Sequence, residues 1–202
     1  MSEPSEPDRP SEPDGSSEPD GSSEPDGSSE LGGLAGERAE SAEQLAARLH
    51  ALLLRQQQTV AVAESLTGGL VAALLTGTPG ASATFRGGLV PYATDLKASV
   101  VGVSESLLAR AGAVHPEVAL ELARGVRARL SATWGVGVTG VAGPEPQDGR
   151  PVGTVFVAAV GPQGETVSEL ELTGDRNSIR RQTVAYVVTL LLNVAERASI
   201  EQ

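Results

Sequence analysis

The 202 residues contain no cysteine. That excludes a disulfide framework, a thiolate nucleophile and a cysteine-based metal site. There are only two histidines, His50 and His115; each is isolated in sequence within a helical pattern, which argues against a histidine-built zinc site. Neither a metal nor a cofactor is expected. No apolar stretch approaches the length that spans a membrane, and the first residues lack the basic and apolar regions of a secretory signal. The expectation is a cytoplasmic protein with no membrane partner.

Positive charge is also scarce: 15 Lys and Arg stand against 26 Asp and Glu. The imbalance is local. Residues 1–36 hold ten acids and one base, whereas the remaining 166 residues hold 16 acids and 14 bases. The body is therefore nearly neutral and carries no basic patch, so nucleic acid is not an expected partner. Residues 1–36 also lack aromatic and β-branched residues, and Ser11–Ser16, Ser17–Ser22 and Ser23–Ser28 repeat Ser-Glu-Pro-Asp-Gly-Ser three times. Such a segment cannot bury enough apolar surface to offset the entropy of ordering it. It reads as a disordered acidic tail that aids solubility, spaces the domain or meets a basic partner. Residues 37–202 are enough for one domain with a proper core.

Within that body, helical spacing of Leu45, Leu49, Leu52 and Leu53 behind Ser41 predicts a helix over 41–57. A buried strand over 59–64 follows, then a helix from Gly69 to the Gly/Pro cluster at 77–80. Residues 85–92 read as a second strand, with Gly87-Gly88 marking a bulge or a close backbone approach. Short helices are expected over 94–101, capped by Thr94, and over 104–111, and a longer one over 115–130. A third strand over 134–139 leads into a Gly/Pro-rich connection over 140–151, long enough to be functional. Strands 154–160 and 166–172 form a hairpin, and a final helix runs over 175–198, its apolar 179–194 face serving a core or an interface. The fold class is α/β with a mixed, mostly parallel sheet.

Chemistry concentrates at the carboxyl end of the first strand, in Glu64-Ser65-Leu66-Thr67-Gly68-Gly69. Open α/β sheets bind ligands there. Gly68 and Gly69 allow close approach to the backbone, and free amides at the helix start favour an anion or an oxyanion. Ser65 is a candidate nucleophile; equally, Ser65 and Thr67 are good helix caps, and such a cluster after a strand is commonly a capped turn. It is not a G-x-S-x-G elbow, because Ala63 stands at the first glycine position.

Two further features bear on the site. Arg176, Arg180 and Arg181 crowd the start of the last helix, where the macrodipole disfavours cations. They pair with acids such as Glu169 or Glu171, or they hold a bound anion such as a phosphate. Lys97, five residues after Tyr92, is an ordinary surface charge unless it is desolvated beside Ser65, where a lowered pKa would make it a general base.

Taken together, Ala63 to Gly69, Gly87 to Tyr92 with Lys97, Gly137 to Pro144, Pro151 to Val155 and Gly174-Asp175-Arg176 resemble the CinA C-terminal domain family, which includes stand-alone nicotinamide mononucleotide deamidases. The resemblance covers about 41–198. It implies a three-layer α/β/α sandwich and hydrolysis of the carboxamide of nicotinamide mononucleotide to nicotinic acid mononucleotide and ammonia, in pyridine nucleotide salvage. It implies Ser65 as nucleophile, Lys97 as base and Tyr92 as a positioning or proton-relaying group. Thr67, Gly68 and Gly69 would supply oxyanion and substrate contacts, as would Thr139, Gly140 and Gly143, with Arg176 or Arg180 facing the phosphate. It also implies a homo-oligomer. The alternatives are a non-catalytic nucleotide-binding module of the same fold, or an interaction protein with a protein partner. The chain departs from the family pattern at Ala93-Thr94, where a serine-asparagine pair is common, and at Glu145-Pro146, where many members carry glycines. The molybdopterin-binding-like activity of longer relatives is not expected.

Overall fold

Strand β1, Val60–Glu64, is buried along its whole length and lies at the heart of the molecule. It appears here in a computed structural model that describes residues 40–200, so the expected acidic tail lies outside the described residues. The alternation of β1 divides the core. Val60 and Val62 face one apolar cluster, Ala61 and Ala63 another. The first cluster is covered by α1 (Ala42–Arg55), α2 (Leu70–Thr76) and α6 (Arg176–Ile200). The second is covered by a short turn, α3 (Thr94–Leu96), with the π-helical Lys97–Val101, and by α4 (Glu105–Ala111) and α5 (Pro116–Arg129). This is the expected α/β/α layering.

The sheet runs in the order β2-β1-β3-β4-β5, where β2 is Phe85–Leu89, β3 Trp134–Gly140, β4 Thr154–Gly161 and β5 Gly164–Glu171. β1 pairs parallel with β2 and β3, and the β3–β4 and β4–β5 pairings are antiparallel. Four strands therefore point one way, although only half of the pairings are parallel. The register slips between Val60 and Ala61 opposite Phe85 and Gly87, an irregularity beside the glycine pair at which a bulge or a close backbone approach is expected.

Helix ends follow local chemistry. Ser41 and Gln44 form a reciprocal capping box on α1. His115 caps α5 through Nδ1, which accepts from the Glu117 amide at 3.2 Å. Asp175 caps α6 through the Ser178 amide at 2.7 Å. Three expectations need correction. The second strand stops at Leu89 rather than Tyr92, because Pro91 offers no ladder donor and the Tyr92 amide turns back to the Val90 carbonyl at 2.8 Å. Thr94 does not cap; the helix already includes it, and Ala93 precedes it without a side-chain bond. The 94–101 helix is a single α turn that widens into a π turn at Lys97.

The apolar face of α6 serves the core: Ile179, Val184, Val187, Val188, Leu191 and Leu192 are all buried in it. On the opposite side, Gly135 and Gly137 bring β3 against α5. A Cβ on Gly137 would stand 2.1 Å from the Ala119 carbonyl oxygen, inside any allowed contact.

The β1–α2 junction positions the candidate site. Gly68 (φ +58°) and Gly69 (φ +95°) carry the chain through the left-handed region, so α2 begins only at Leu70. Its first amides point at Glu64, which is fully buried. Oε2 accepts from Gly69 at 2.9 Å and Val71 at 3.0 Å, and Oε1 accepts from Ala72 at 2.8 Å. The strand's last side chain, not Ser65 or Thr67, caps this helix.

Two stability outcomes follow from these contacts. Gly137→Ala should lower the free energy of unfolding by about 3 kcal/mol through overpacking against α5, read as a fall in urea midpoint at unchanged m-value. Glu64→Ala, which strands one buried and two partly buried amides, should destabilise by roughly 3 kcal/mol, and Glu64→Gln by less, because its one carbonyl oxygen still accepts.

Candidate active site

Ser65 leaves the end of β1 with its amide donating to the Val138 carbonyl at 3.0 Å and its own carbonyl accepting from Gly68 at 3.1 Å. Its backbone is thus fixed to β3 and to the glycine turn. Its hydroxyl is half-buried and makes no hydrogen bond among the described residues. It opens into a cleft of about 100 Å³ shared with Tyr92, Gly140, Gly143 and Arg176. Leu66, Val141, Ala142, Glu145 and Gln147 complete its walls. Segments far apart in sequence thus meet at the carboxyl edge of the parallel strands, as the fold predicts. A larger hollow of about 240 Å³, by Trp134, Gln163 and Arg197, lies at the other end of the sheet and holds none of the candidate residues.

Arg176 ties the cleft together. Nη1 donates to the Gly143 carbonyl and Nη2 to the Tyr92 hydroxyl, each at 2.7 Å. The Tyr92 ring remains 53 % exposed. Arg180 does different work from one turn further on: Nε donates to the Leu66 carbonyl at 3.1 Å and Nη2 to the Thr67 carbonyl at 2.8 Å. It clamps the Ser65 turn from outside the cleft. Gly68 makes room for it, since a Cβ there would lie 3.3 Å from Arg180 Nη2. Neither arginine pairs with Glu169 or Glu171. Of the two candidates for a phosphate, Arg176 lines the cleft and Arg180 is engaged by backbone carbonyls.

Lys97 is 1 % exposed. Nζ donates to the carbonyls of Pro91 (3.0 Å) and Tyr92 (3.2 Å), and no hydrogen bond joins it to Ser65. The amine is desolvated, as general-base chemistry requires, but it sits beneath the Tyr92 segment. Burial pushes its pKa below the ordinary lysine value, against the opposing charges of Asp148 and Asp95. Composition carried an unused signal here, because Lys97 is the only lysine in a chain with fourteen arginines. Arginine keeps its proton at any ordinary pH; a position that must release one needs lysine.

Other candidates fall outside the cleft. Thr139 is buried, and its hydroxyl donates to the Ala113 carbonyl at 2.7 Å, so it braces the α4–α5 connection. Thr67 is buried too, and its hydroxyl has no hydrogen-bond partner among the described residues. The expected oxyanion donors need revision. The Gly69 amide is taken by Glu64 and the Gly68 amide by the Ser65 carbonyl, which leaves the Leu66 and Thr67 amides without an acceptor among the described residues. Because Glu64 already supplies a carboxylate at the start of α2, that helix end is no site for a second anion.

Sequence reasoning marked the 140–151 connection but missed its working residues. Glu145 and Gln147 line the cleft. Asp148 (φ +52°) and Gly149 (φ +73°) form a tight turn closed by reciprocal Gln147–Arg150 backbone bonds. The Asp-Gly dipeptide was the available signal for that turn.

Comparison with known proteins bears on the family and the fold. The family model described as the CinA C-terminal domain matches residues 42–195. A CinA-like protein of Frankia casuarinae is 52% identical over 140 residues, covering 69% of this chain and 32% of that protein. Another from Anaeromyxobacter sp. is 48% identical over 161 residues, covering 78% and 38%. The chain thus spans roughly a third of the length of these curated relatives. Among solved structures, a CinA superfamily protein from Enterobacter cloacae superposes with a TM-score of 0.79 at 26% identity, covering 83% of this chain and 99% of that one. The competence/damage inducible protein CihA from Agrobacterium tumefaciens superposes with a TM-score of 0.72 at 36% identity, covering 75% and 95%. With its α/β/α layers, and with the family model spanning nearly all of the described residues, this chain belongs to the CinA C-terminal domain family.

Proposed function

We propose that this chain is an amidohydrolase that converts nicotinamide mononucleotide to nicotinic acid mononucleotide and ammonia. The observation that carries the reading is the free Ser65 hydroxyl sharing one cleft with Tyr92 and Arg176, above a buried lysine of lowered pKa. Ser65 Oγ attacks the amide carbon, and its proton passes to neutral Lys97 by way of Tyr92. The amide of Leu66, which lines the cleft, receives the developing oxyanion. The C–N bond then breaks, the nitrogen leaves as ammonia with the returned proton, and water hydrolyses the acyl-enzyme. Because the Tyr92 hydroxyl accepts from Arg176, its own proton is free to be donated into the cleft.

Charge in the cleft fits this substrate. The nicotinamide ring of the mononucleotide is a pyridinium cation, and Glu145 sets a carboxylate in the same cleft. Arg176, which lines the cleft and is exposed, is the arginine we assign to the phosphate. The carboxamide end fills the small cleft and the phosphoribosyl end lies outside it.

The deciding experiment is ammonia release from nicotinamide mononucleotide by the full chain, with a chelator control. Release that survives the chelator and falls at least ~10³-fold in Ser65→Ala supports the serine mechanism. Absence of release with nucleotide binding intact would favour a non-catalytic module. Lys97→Arg keeps the charge but cannot release the proton, so kcat should fall ~10²-fold or more with KM little changed. In the parent enzyme kcat/KM should rise with pH as Lys97 loses its proton, with a midpoint below the lysine reference of about 10.4. Glu145→Gln should raise KM severalfold at unchanged kcat, a shift that 0.5 M salt diminishes.

A further inference from the structure

Asp148 makes contacts that the proposed chemistry does not use. Oδ2 accepts from the Ala113 amide at 2.6 Å and from the Val114 amide at 3.3 Å, joining the 141–153 loop to the α4–α5 connection. Gly112 leaves the space for it: a Cβ at that position would stand 2.6 Å from Asp148 Cγ. The loop so fastened carries Glu145 and Gln147 into the cleft, and its other end is held by Arg176 on the Gly143 carbonyl. Ala113 in turn receives the Thr139 hydroxyl, so one short segment is held from both β3 and the loop.

We infer that Asp148 is a positioning residue of the site, which fastens the cleft loop to Ala113 and Val114 and sets the negative charge that balances the buried Lys97 amine. This deepens the amidohydrolase reading and rests on it only for the rate measurement below.

Two carboxylates bear on Lys97: Asp148 from the loop and Asp95 from α3, with Asp148 the stronger. The packed α5 also presents charges, but Glu121 is engaged by the Ser104 amide at 2.7 Å and Arg129 lies beside Gly102. Burial favours the neutral amine, and Asp148 favours the ammonium. The balance holds Lys97 below the ordinary lysine range without abolishing its ability to accept a proton and give it back.

The lysine count makes a direct test available. Full-length protein labelled at lysine Cε and Nζ gives one side-chain signal, and that signal is Lys97. Its titration midpoint should move to lower pH in Asp148→Asn, and further than in Asp95→Asn. The acid limb of the kcat/KM profile should move the same way, with the plateau reduced on the order of 10- to 100-fold by the loosened loop. An unmoved or raised midpoint in folded Asp148→Asn would overturn the inference, even if activity falls. Asp148→Glu covers the case in which Asp148→Asn does not fold: it retains the charge, so a midpoint at the parent value supports the inference, and one displaced as far as in Asp95→Asn overturns it. The lysine signal is read without turnover. Failure to release ammonia would therefore refute the amidohydrolase reading and leave this result standing, and the converse also holds.

Discussion

A buried carboxylate at the end of β1 is the constraint from which the site follows. Glu64 accepts three amides of the β1–α2 junction, so the chain must pass from strand to helix through a turn just wide enough for Ser65 to Gly69. A buried anion is tolerated only when it is hydrogen-bonded this fully. Its presence uses the amides that would otherwise invite a free anion, and it turns Ser65 toward the cleft with its hydroxyl unspent. Arg180 secures the same turn from the other side through two backbone carbonyls.

Around that turn the cations are divided by chemistry. Arg180 is structural, Arg176 joins Tyr92 to the cleft loop, and Lys97 is enclosed. The first two never need to lose a proton, and the guanidinium fork suits carbonyl and phenol acceptors. Lys97 differs in kind. Its burial disfavours the ammonium in the folded state, whereas the unfolded chain holds that proton up to the ordinary lysine value. Between those two values the unfolded state binds more protons, so this residue's penalty on stability is full at low pH and is relieved as pH rises. A buried amine of this kind is thus held at some expense in stability.

The wider fold serves to bring these groups together. The glycines of β3 admit α5 at backbone contact distance, and α5 follows the connection on which Ala113 and Val114 lie. The cleft loop docks on that connection through Asp148. Close packing on one face of the sheet therefore sets the position of a loop that works at its edge.

By itself, the sequence determined the layered α/β class, the extents of most helices, the Ser65 turn, the Gly140 and Gly143 edge, and Arg176 and Tyr92 as neighbours of one site. The class and the helices are written in local periodicity and in caps such as Ser41 and Asp175; the grouping of Tyr92, Gly140, Gly143 and Arg176 with Ser65 is what the family resemblance implied. Tertiary structure alone decided that Glu64 rather than Ser65 or Thr67 caps α2, that Thr139 turns to Ala113, that Arg180 clamps while Arg176 lines the cleft, and that Lys97 lies beneath Tyr92. It also decided the part played by Asp148. Each of these is a choice among hydrogen-bond partners distant in sequence, and side-chain donors and acceptors are promiscuous until packing excludes all but one of them.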